Sequence, residues 1–355
     1  MTHRLPFITK ELPGCGGIIK SCPEDFVVDE EPLYLPSGEG DHMYIRFRKI
    51  GLNTRQVVTR LAKIINIDSD EIGTAGLKDR DAVTSQWLSA PAAPFQDISP
   101  DSIEIPGVTI LEHGLHSNKL RIGHLIGNRF KIRIRFCADQ ALEKAQAVVD
   151  RIMSHGMVNF YGEQRFGYEG ANVVEGRMIL QGEKFVKQSF LRRILISAFQ
   201  SHLFNGYSIV RLQAGLMRTA MRGDVMKKTE RGGLFIAEDS LEETRRLEAG
   251  EIVPTGPMVG QKSKAPMWDA MEFEQECMTA LGYDARIAEG LRKNRMMGSR
   301  RPLLVYPKDI SVEQDDGGLI LSFMLPKGSF ATVLLREVIK PEEDFWDQEL
   351  DENHD

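Results

Sequence analysis

The sequence is poor in the features that would assign it to several common classes. Its 355 residues include four cysteines, Cys15, Cys22, Cys137 and Cys277, and no two of them form a Cys-x-x-Cys pair. A Cys-based structural zinc site and a disulfide framework are therefore not expected. His113 and His116 have metal-like spacing but lack an evident third ligand, so they read as surface or turn histidines. No run approaches the roughly 18 uncharged apolar residues that a membrane span requires. The opening MTHRLPFITKELPGCGG lacks the apolar stretch of a signal peptide, so the expected location is the cytoplasm. There is no phosphate-binding Gly-Lys loop, no Gly-rich dinucleotide fingerprint, no internal repeat and no low-complexity linker.

The composition is that of an ordinary globular protein, with 42% hydrophobic and 27% charged residues. The net charge of −6, taken alone, argues against a polyanionic partner. Its distribution removes that objection. The segment after Lys340, PEEDFWDQELDENHD, carries eight acids and no lysine or arginine; subtracting them from 51 leaves 43 acidic residues against 45 basic ones. Phosphate affinity depends on local basic patches rather than on the total.

Periodicity gives a coarse map. GGIIKSCPEDFVVDEEPLY reads as a strand, a Pro turn and a second strand that carries Phe26 and Val28 on one face. HMYIRFRKI alternates Met43, Ile45 and Phe47 with Tyr44, Arg46 and Arg48, the period of a strand. Asn53 or Thr54 caps a helix with Val57, Val58, Leu61, Ile64 and Ile65 as its apolar stripe. KLRIGHLIGNRFKIRIRF reads as two strands, and ALEKAQAVVDRIMSHG as a helix ending at Gly156. SFLRRILISAFQSHLFNGYSIVRLQAG is a helix pair or one kinked helix, and EIVPTGPMVGQKS a Pro/Gly loop. From residue 303 the pattern returns to strand, turn, strand and helix, too short to bury a face alone. The economical division is a sheet domain from residues 1–155 and 303–355, with residues 156–302 inserted.

Three features bear chemistry. Arg129, Lys131, Arg133 and Arg135 alternate along one strand, roughly 6–7 Å apart, near the spacing of phosphates in a nucleic-acid strand; a solvated face with cross-strand ion pairs gives the same pattern. Phe26, Phe130 and Phe330 sit beside polar motifs (PEDF, GNRF, PKGSF), as aromatics that stack on an extruded base would. In GTAGLKDRDAVTSQWLS, residues 73–89, small residues precede four successive charges. Asp79, flanked by Lys78 and Arg80, would stay ionised and could act as a nucleophile or a base. A solvated structural turn is the alternative.

This stretch resembles the signature of the TruD family of tRNA pseudouridine synthases, whose catalytic aspartate corresponds to Asp79. The likeness extends in family order to IIKSCPEDFVVDE, LIGNRFKIRI, VNFYGEQRFG, PTGPMVG and LPKGSFATVLLRE, from residue 18 to 339. It matches only patchily over residues 217–300. It implies an α+β pseudouridine synthase domain on a mixed, mostly antiparallel sheet, interrupted by an inserted α/β TruD-specific domain. It also implies isomerisation of uridine 13 of tRNA, with neither cofactor nor metal. Asp79 would act at the ribose, Lys20 would orient it, and Asn128 would hydrogen-bond near Asp79 or the base. Phe130 would stack on the base, and Phe26 and Phe330 would close the pocket. From charge alone, Arg129, Lys131, Arg165, Arg192 and Arg193 are candidate RNA contacts. A monomer is expected, because no exposed apolar heptad or interface stripe stands out. A non-catalytic tRNA-binding protein on the same scaffold has no need of Asp79, and a methyltransferase would need a cofactor loop.

Overall fold

A computed structural model describes residues 5–230 and 232–341; the acidic segment 342–355 lies outside the described residues. In chain order the elements are β1 (Phe26–Pro32), β2 (His42–Lys49), α1 (Thr54–Ile64), β3 (Gly73–Thr74), β4 (Val83–Pro91), β5 (Val108–His116), β6 (Leu125–Ile134) and α2 (Ala141–His155). There follow β7 (Met157–Val158), α3 (Ala171–Gln181), α4 (Ser189–Gln213), β8 (Val225–Lys228), β9 (Leu234–Ile236), α5 (Ser240–Glu248), β10 (Ile252–Met258), α6 (Trp268–Ala280) and α7 (Ala285–Lys293). The chain ends with β11 (Ser299–Pro302), β12 (Leu304–Val305), β13 (Lys308–Asp315), β14 (Gly318–Pro326) and α8 (Ala331–Ile339).

The main sheet has the order β13-β14-β6-β1-β4-β2-β5, with β3 paired to β4. The β1–β4 pair at its centre is parallel, and the other pairs are antiparallel. A parallel pair needs a crossover connection, and here it carries α1. The sheet is thus mixed and mostly antiparallel, in an α+β chain.

One face of this sheet is covered by two groups of helices. Val57 and Leu61 of α1 pack with Ile45, Phe47 and Leu88 over the β4–β2–β5 half. Val148 and Ile152 of α2 and Leu334 and Val338 of α8 pack with Ile132, Ile134, Leu319 and Leu321 over the β13–β14–β6–β1 half. Between the two halves, above β1 and β4, the sheet is left open.

The chain leaves the sheet after α2 through β7 and returns through β12, and these two short strands pair with each other: Val158 with Leu304, Met157 with Val305. Between them lie α3 to α7 and a second sheet of order β11-β10-β8-β9. Among the described residues no helix is long and apolar enough to cross a membrane.

The sequence map needs four corrections. The first expected strand contributes an isolated bridge, Ile18 to Arg135. The first half of KLRIGHLIGNRFKIRIRF is a turn before β6. α4 is a single 25-residue helix. The expected Pro/Gly loop is β10. It pairs with β8 through Ile252–Pro254 and with β11 through Thr255–Met258, so each edge is used over half its length. Prolines, which donate no ladder hydrogen bond, are tolerated in such a half-paired strand.

Candidate active site

The opening between the two half-cores is a cleft of about 200 Å³. Its floor follows from strand alternation. Val28 is in register with Phe130 on one side and Thr84 on the other, and Glu30 with Asn128, so these side chains and Phe26 share a face. Lys20, Phe26, Asp79, Asn128, Phe130 and Phe330 all line this cleft, joined by Thr84, Gly162 and Gln164. Asn128 Oδ1 and Thr84 Oγ1 are buried with no hydrogen-bond partner among the described residues.

Asp79 sits on the loop of residues 75–82 between β3 and β4. Hydrogen bonds from beneath fix that loop. The Gln86 amide donates to Gly76 O at 3.3 Å. The Lys78 main-chain N–H donates to Thr54 Oγ1 at 2.8 Å, and that hydroxyl donates to Gln86 Oε1 at 2.8 Å. Thr54 occupies this point because α1 starts there: Asn53 Oδ1 caps the Gln56 N–H, and Gln56 returns to the Asn53 N–H.

Lys78 does not flank the Asp79 carboxylate as the sequence suggested. Its Nζ lies 2.8 Å from Glu30 Oε2, and both side chains are buried. Glu30 Oε1 also accepts the Trp87 N–H at 3.2 Å. The lysine brought beneath Asp79 is Lys49 at the end of β2, fully buried, with Nζ donating to the Asp79 carbonyl at 2.5 Å.

The aromatic wall is built in layers. Phe130 stacks on Phe323 at 5.1 Å between centroids and meets the edge of Phe26 at 6.3 Å. Lys20 Nζ lies 5.3 Å from the centroid of Phe26. Lys20 itself has a left-handed backbone with φ of 60°, an uncommon conformation for a non-glycine residue. Across the cleft, Phe330 packs against Tyr161 at 5.6 Å, and the Arg301 guanidinium lies 4.0 Å from the Tyr161 centroid. Arg301 also donates to Asn159 Oδ1 and Gly328 O, which ties the loop carrying Phe330 to β11. Burial depresses the Arg301 pKa.

The charge-derived candidates are placed elsewhere. Residues 129, 131, 133 and 135 point away from the cleft, by the same alternation that points Asn128 and Phe130 into it. Arg129 pairs with Glu31 at 3.0 Å and Asp309 at 2.8 Å, Arg133 with Asp315, and Arg135 with Asp25 at 2.7 Å. Three of the four are thus in ion pairs, while Lys131 is exposed and forms none within 4 Å among the described residues. Arg165 donates to Ser197 and lies over Tyr161 at 5.8 Å. Arg192 donates to Val186 O at 3.1 Å, and Arg193 is exposed in the first turn of α4.

A larger groove of about 580 Å³ shares Ser329 with the cleft and is lined by Lys227, Lys228, Arg301, Lys308 and Lys327. None of these was singled out from the sequence, because they come from strands far apart in the chain. Lys49 did carry a signal: in HMYIRFRKI its parity is that of Met43, Ile45 and Phe47, the buried side.

A mixed sheet split by a cleft of about 200 Å³, with a carboxylate on a clamped loop and aromatic walls, forms a site with room for one small flat group. The tRNA pseudouridine synthase D (TruD) family model matches residues 5–188 and 185–338. A tRNA pseudouridine synthase D of Thermus thermophilus is 43% identical over 340 residues, covering 96% of this chain and 93% of that one. Its counterpart from an Anaeromyxobacter species is 41% identical over 342 residues, covering 94% and 96%. A solved structure of a protein from Methanosarcina mazei, described as a putative tRNA pseudouridine synthase D, superposes with a TM-score of 0.73 at 23% identity, covering 94% of this chain and 96% of that one. The chain belongs to the TruD family. Pseudouridine synthases are isomerases, and this protein is an isomerase of that class.

Proposed function

We propose that the protein converts uridine 13 of tRNA to pseudouridine, with Asp79 as catalytic residue and without a cofactor or metal. The reading is supported by the convergence of Lys20, Phe26, Asp79, Asn128, Phe130 and Phe330, from four separated stretches of sequence, on one cleft. The relatives' names support tRNA as the substrate.

The reaction is balanced without an external reagent. The N1–C1′ bond breaks, the uracil turns in place, C5 bonds to C1′, the C5 proton leaves to water and N1 acquires one. No electrons are gained or lost overall. The tasks left to the protein are to extrude the base, act at the ribose and retain the free uracil. Asp79 acts at the ribose from a loop whose main chain is already fixed, so little reorganisation remains at the moment of reaction. Lys20 orients the carboxylate from the open side. Phe130 and Phe26 form the apolar wall on which the base rests, and Phe330 closes the cleft. Asn128 Oδ1 and Thr84 Oγ1, buried and unpaired, suit the polar edge of the base, because an unsatisfied buried polar atom gains most from a partner.

Residues 156–302 act as an inserted domain that carries one wall of the RNA site, and the protein works as a monomer in the cytoplasm. Phosphates of the tRNA run over the groove lined by Lys227, Lys308 and Lys327 rather than over β6, where Arg129 and Arg133 are held in ion pairs.

The test uses purified full-length protein and a tRNA transcript tritiated at uridine C5. Release of tritium that survives prior treatment with a chelator is expected. No release from any tRNA, with folded protein, would contradict the reading.

A further inference from the structure

Lys49 is a buried charge to which nothing so far gives a task. It ends β2, its Cα in register with Thr84 of β4 and Val108 of β5, and it is fully buried. Its Nζ donates to the main-chain carbonyl of Asp79 at 2.5 Å. Among the described residues it forms no ion pair within 4 Å, whereas the neighbouring Lys78 is neutralised by Glu30. Burying an ammonium is costly, and a carbonyl alone could be held by a neutral amide. What a cation adds here is its field at the two carboxylates above it, Asp79 and Asp81, both of which act electrostatically on Lys49.

We propose that Lys49 is a positioning residue for the reaction: it anchors the Asp79 main chain and holds a positive charge beneath the loop, toward which the Asp79 carboxylate stays oriented once the substrate base has displaced water from the cleft. The proposal rests on Asp79 being the catalytic residue. The geometry separates Lys49 from Lys20. Lys20 lines the cleft and meets substrate and solvent, while Lys49 lies beneath the loop and touches neither. Water over an empty cleft screens Asp79; a bound base removes that screening, and the attraction of a buried cation then grows as the local dielectric falls.

The arrangement has a pH signature. Burial pushes the Lys49 ammonium down to about 8; Asp79 and Asp81 oppose that shift, and Lys78 adds to it. Glu30 in turn neutralises Lys78, and the strand neighbours Thr84 and Val108 do not titrate. Lys49 is therefore charged below pH 8 and loses its proton above it. The chemical step is expected to slow as pH rises through that value.

Single-turnover tritium release by the full-length protein on both sides of pH 8 tests this. Lys49→Met is expected to lower the single-turnover rate on the order of 10²-fold while tRNA affinity is kept. Lys49→Arg, with a cation that does not titrate in this range, is expected to lose the alkaline limb that the wild type shows. A purely structural lysine would change stability but not the shape of the profile. The proposal is overturned by a wild-type rate that stays flat through pH 8, by a folded Lys49→Met that reacts at the wild-type rate, or by a Lys49→Arg that keeps the wild-type limb. If Lys49→Met does not fold, the wild-type profile and Lys49→Arg carry the test. A wild-type protein inert at every pH would instead refute the proposed function.

Discussion

Lys78 Nζ and Glu30 Oε2 lie 2.8 Å apart beneath the loop that carries Asp79, with side chains 7% and 1% exposed. The pair joins that loop to β1, and Glu30 also holds the Trp87 N–H of β4, so one carboxylate links both strands of the central parallel pair to the loop. Removing one partner strands the other as a buried charge.

Lys78→Met is accordingly expected to destabilise the protein by about 3–5 kcal/mol, while Lys78→Met with Glu30→Gln, which keeps an acceptor for the Trp87 N–H, recovers most of the loss. Urea unfolding midpoints measure both. Equal destabilisation by the single and double variants would show that the pair's role is not electrostatic.

Phe130 packs between Phe26 and Phe323 and is 9% exposed, so its ring belongs to the core as well as to the cleft. Phe130→Ala is expected to cost about 3–5 kcal/mol of stability. It should also lose on the order of 1–3 kcal/mol of base stacking. Phe130→Leu fills most of the volume and separates the two effects. Near-normal melting with weakened catalysis is expected for it, and unchanged catalysis would move the stacking role elsewhere.

Asp25 is buried before β1 and receives Nε and Nη2 of Arg135, each at 2.7 Å. Burial alone would raise its pKa, but the Arg135 hydrogen bonds and charge outweigh that and hold it below the ordinary 3.8. A group depressed in the folded state stabilises above its unfolded value and loses that contribution as pH falls toward its folded value. The stability gap between wild type and Asp25→Asn should therefore be widest at neutral pH and narrow below about 3.8. Denaturant titrations across that range check the sign; a gap that widens in acid would contradict it.

The RNA track makes a prediction that separates two surfaces. Arg129 is neutralised by Glu31 and Asp309 on the face away from the cleft, whereas Lys227 and Lys308 line the groove beside it. Neutralising Lys227 and Lys308 should reduce the slope of log affinity against log salt by about one per lysine. Arg129→Gln with Arg133→Gln, both ion-paired in the fold, should leave it unchanged. The reverse pattern would return the track to β6.

Much of this is legible in the sequence. The helix cap at Asn53, the Gly156 helix end and the alternation in β2 and β6 are local signals, and local signals survive folding. β10 was illegible because its two prolines are excused by a switch of partners at Thr255, which no local pattern encodes. At the site, Asp79, Lys20, Asn128 and the three phenylalanines were accessible through motif resemblance. Lys78 was misplaced because adjacency in sequence does not say which way a side chain turns. Glu30, Thr54 and Gln86, which clamp the loop, looked like ordinary polar residues; their task exists only once β1, α1 and β4 meet.

The central claim is tested most directly by mapping pseudouridine, through carbodiimide adducts and primer extension, in tRNA from cells that lack this protein. The account predicts loss of one pseudouridine in the D-arm region, restored by the wild-type gene and not by Asp79→Asn, a variant that should still bind tRNA. A pseudouridine profile unchanged by the deletion, or restored equally by Asp79→Asn, would contradict it.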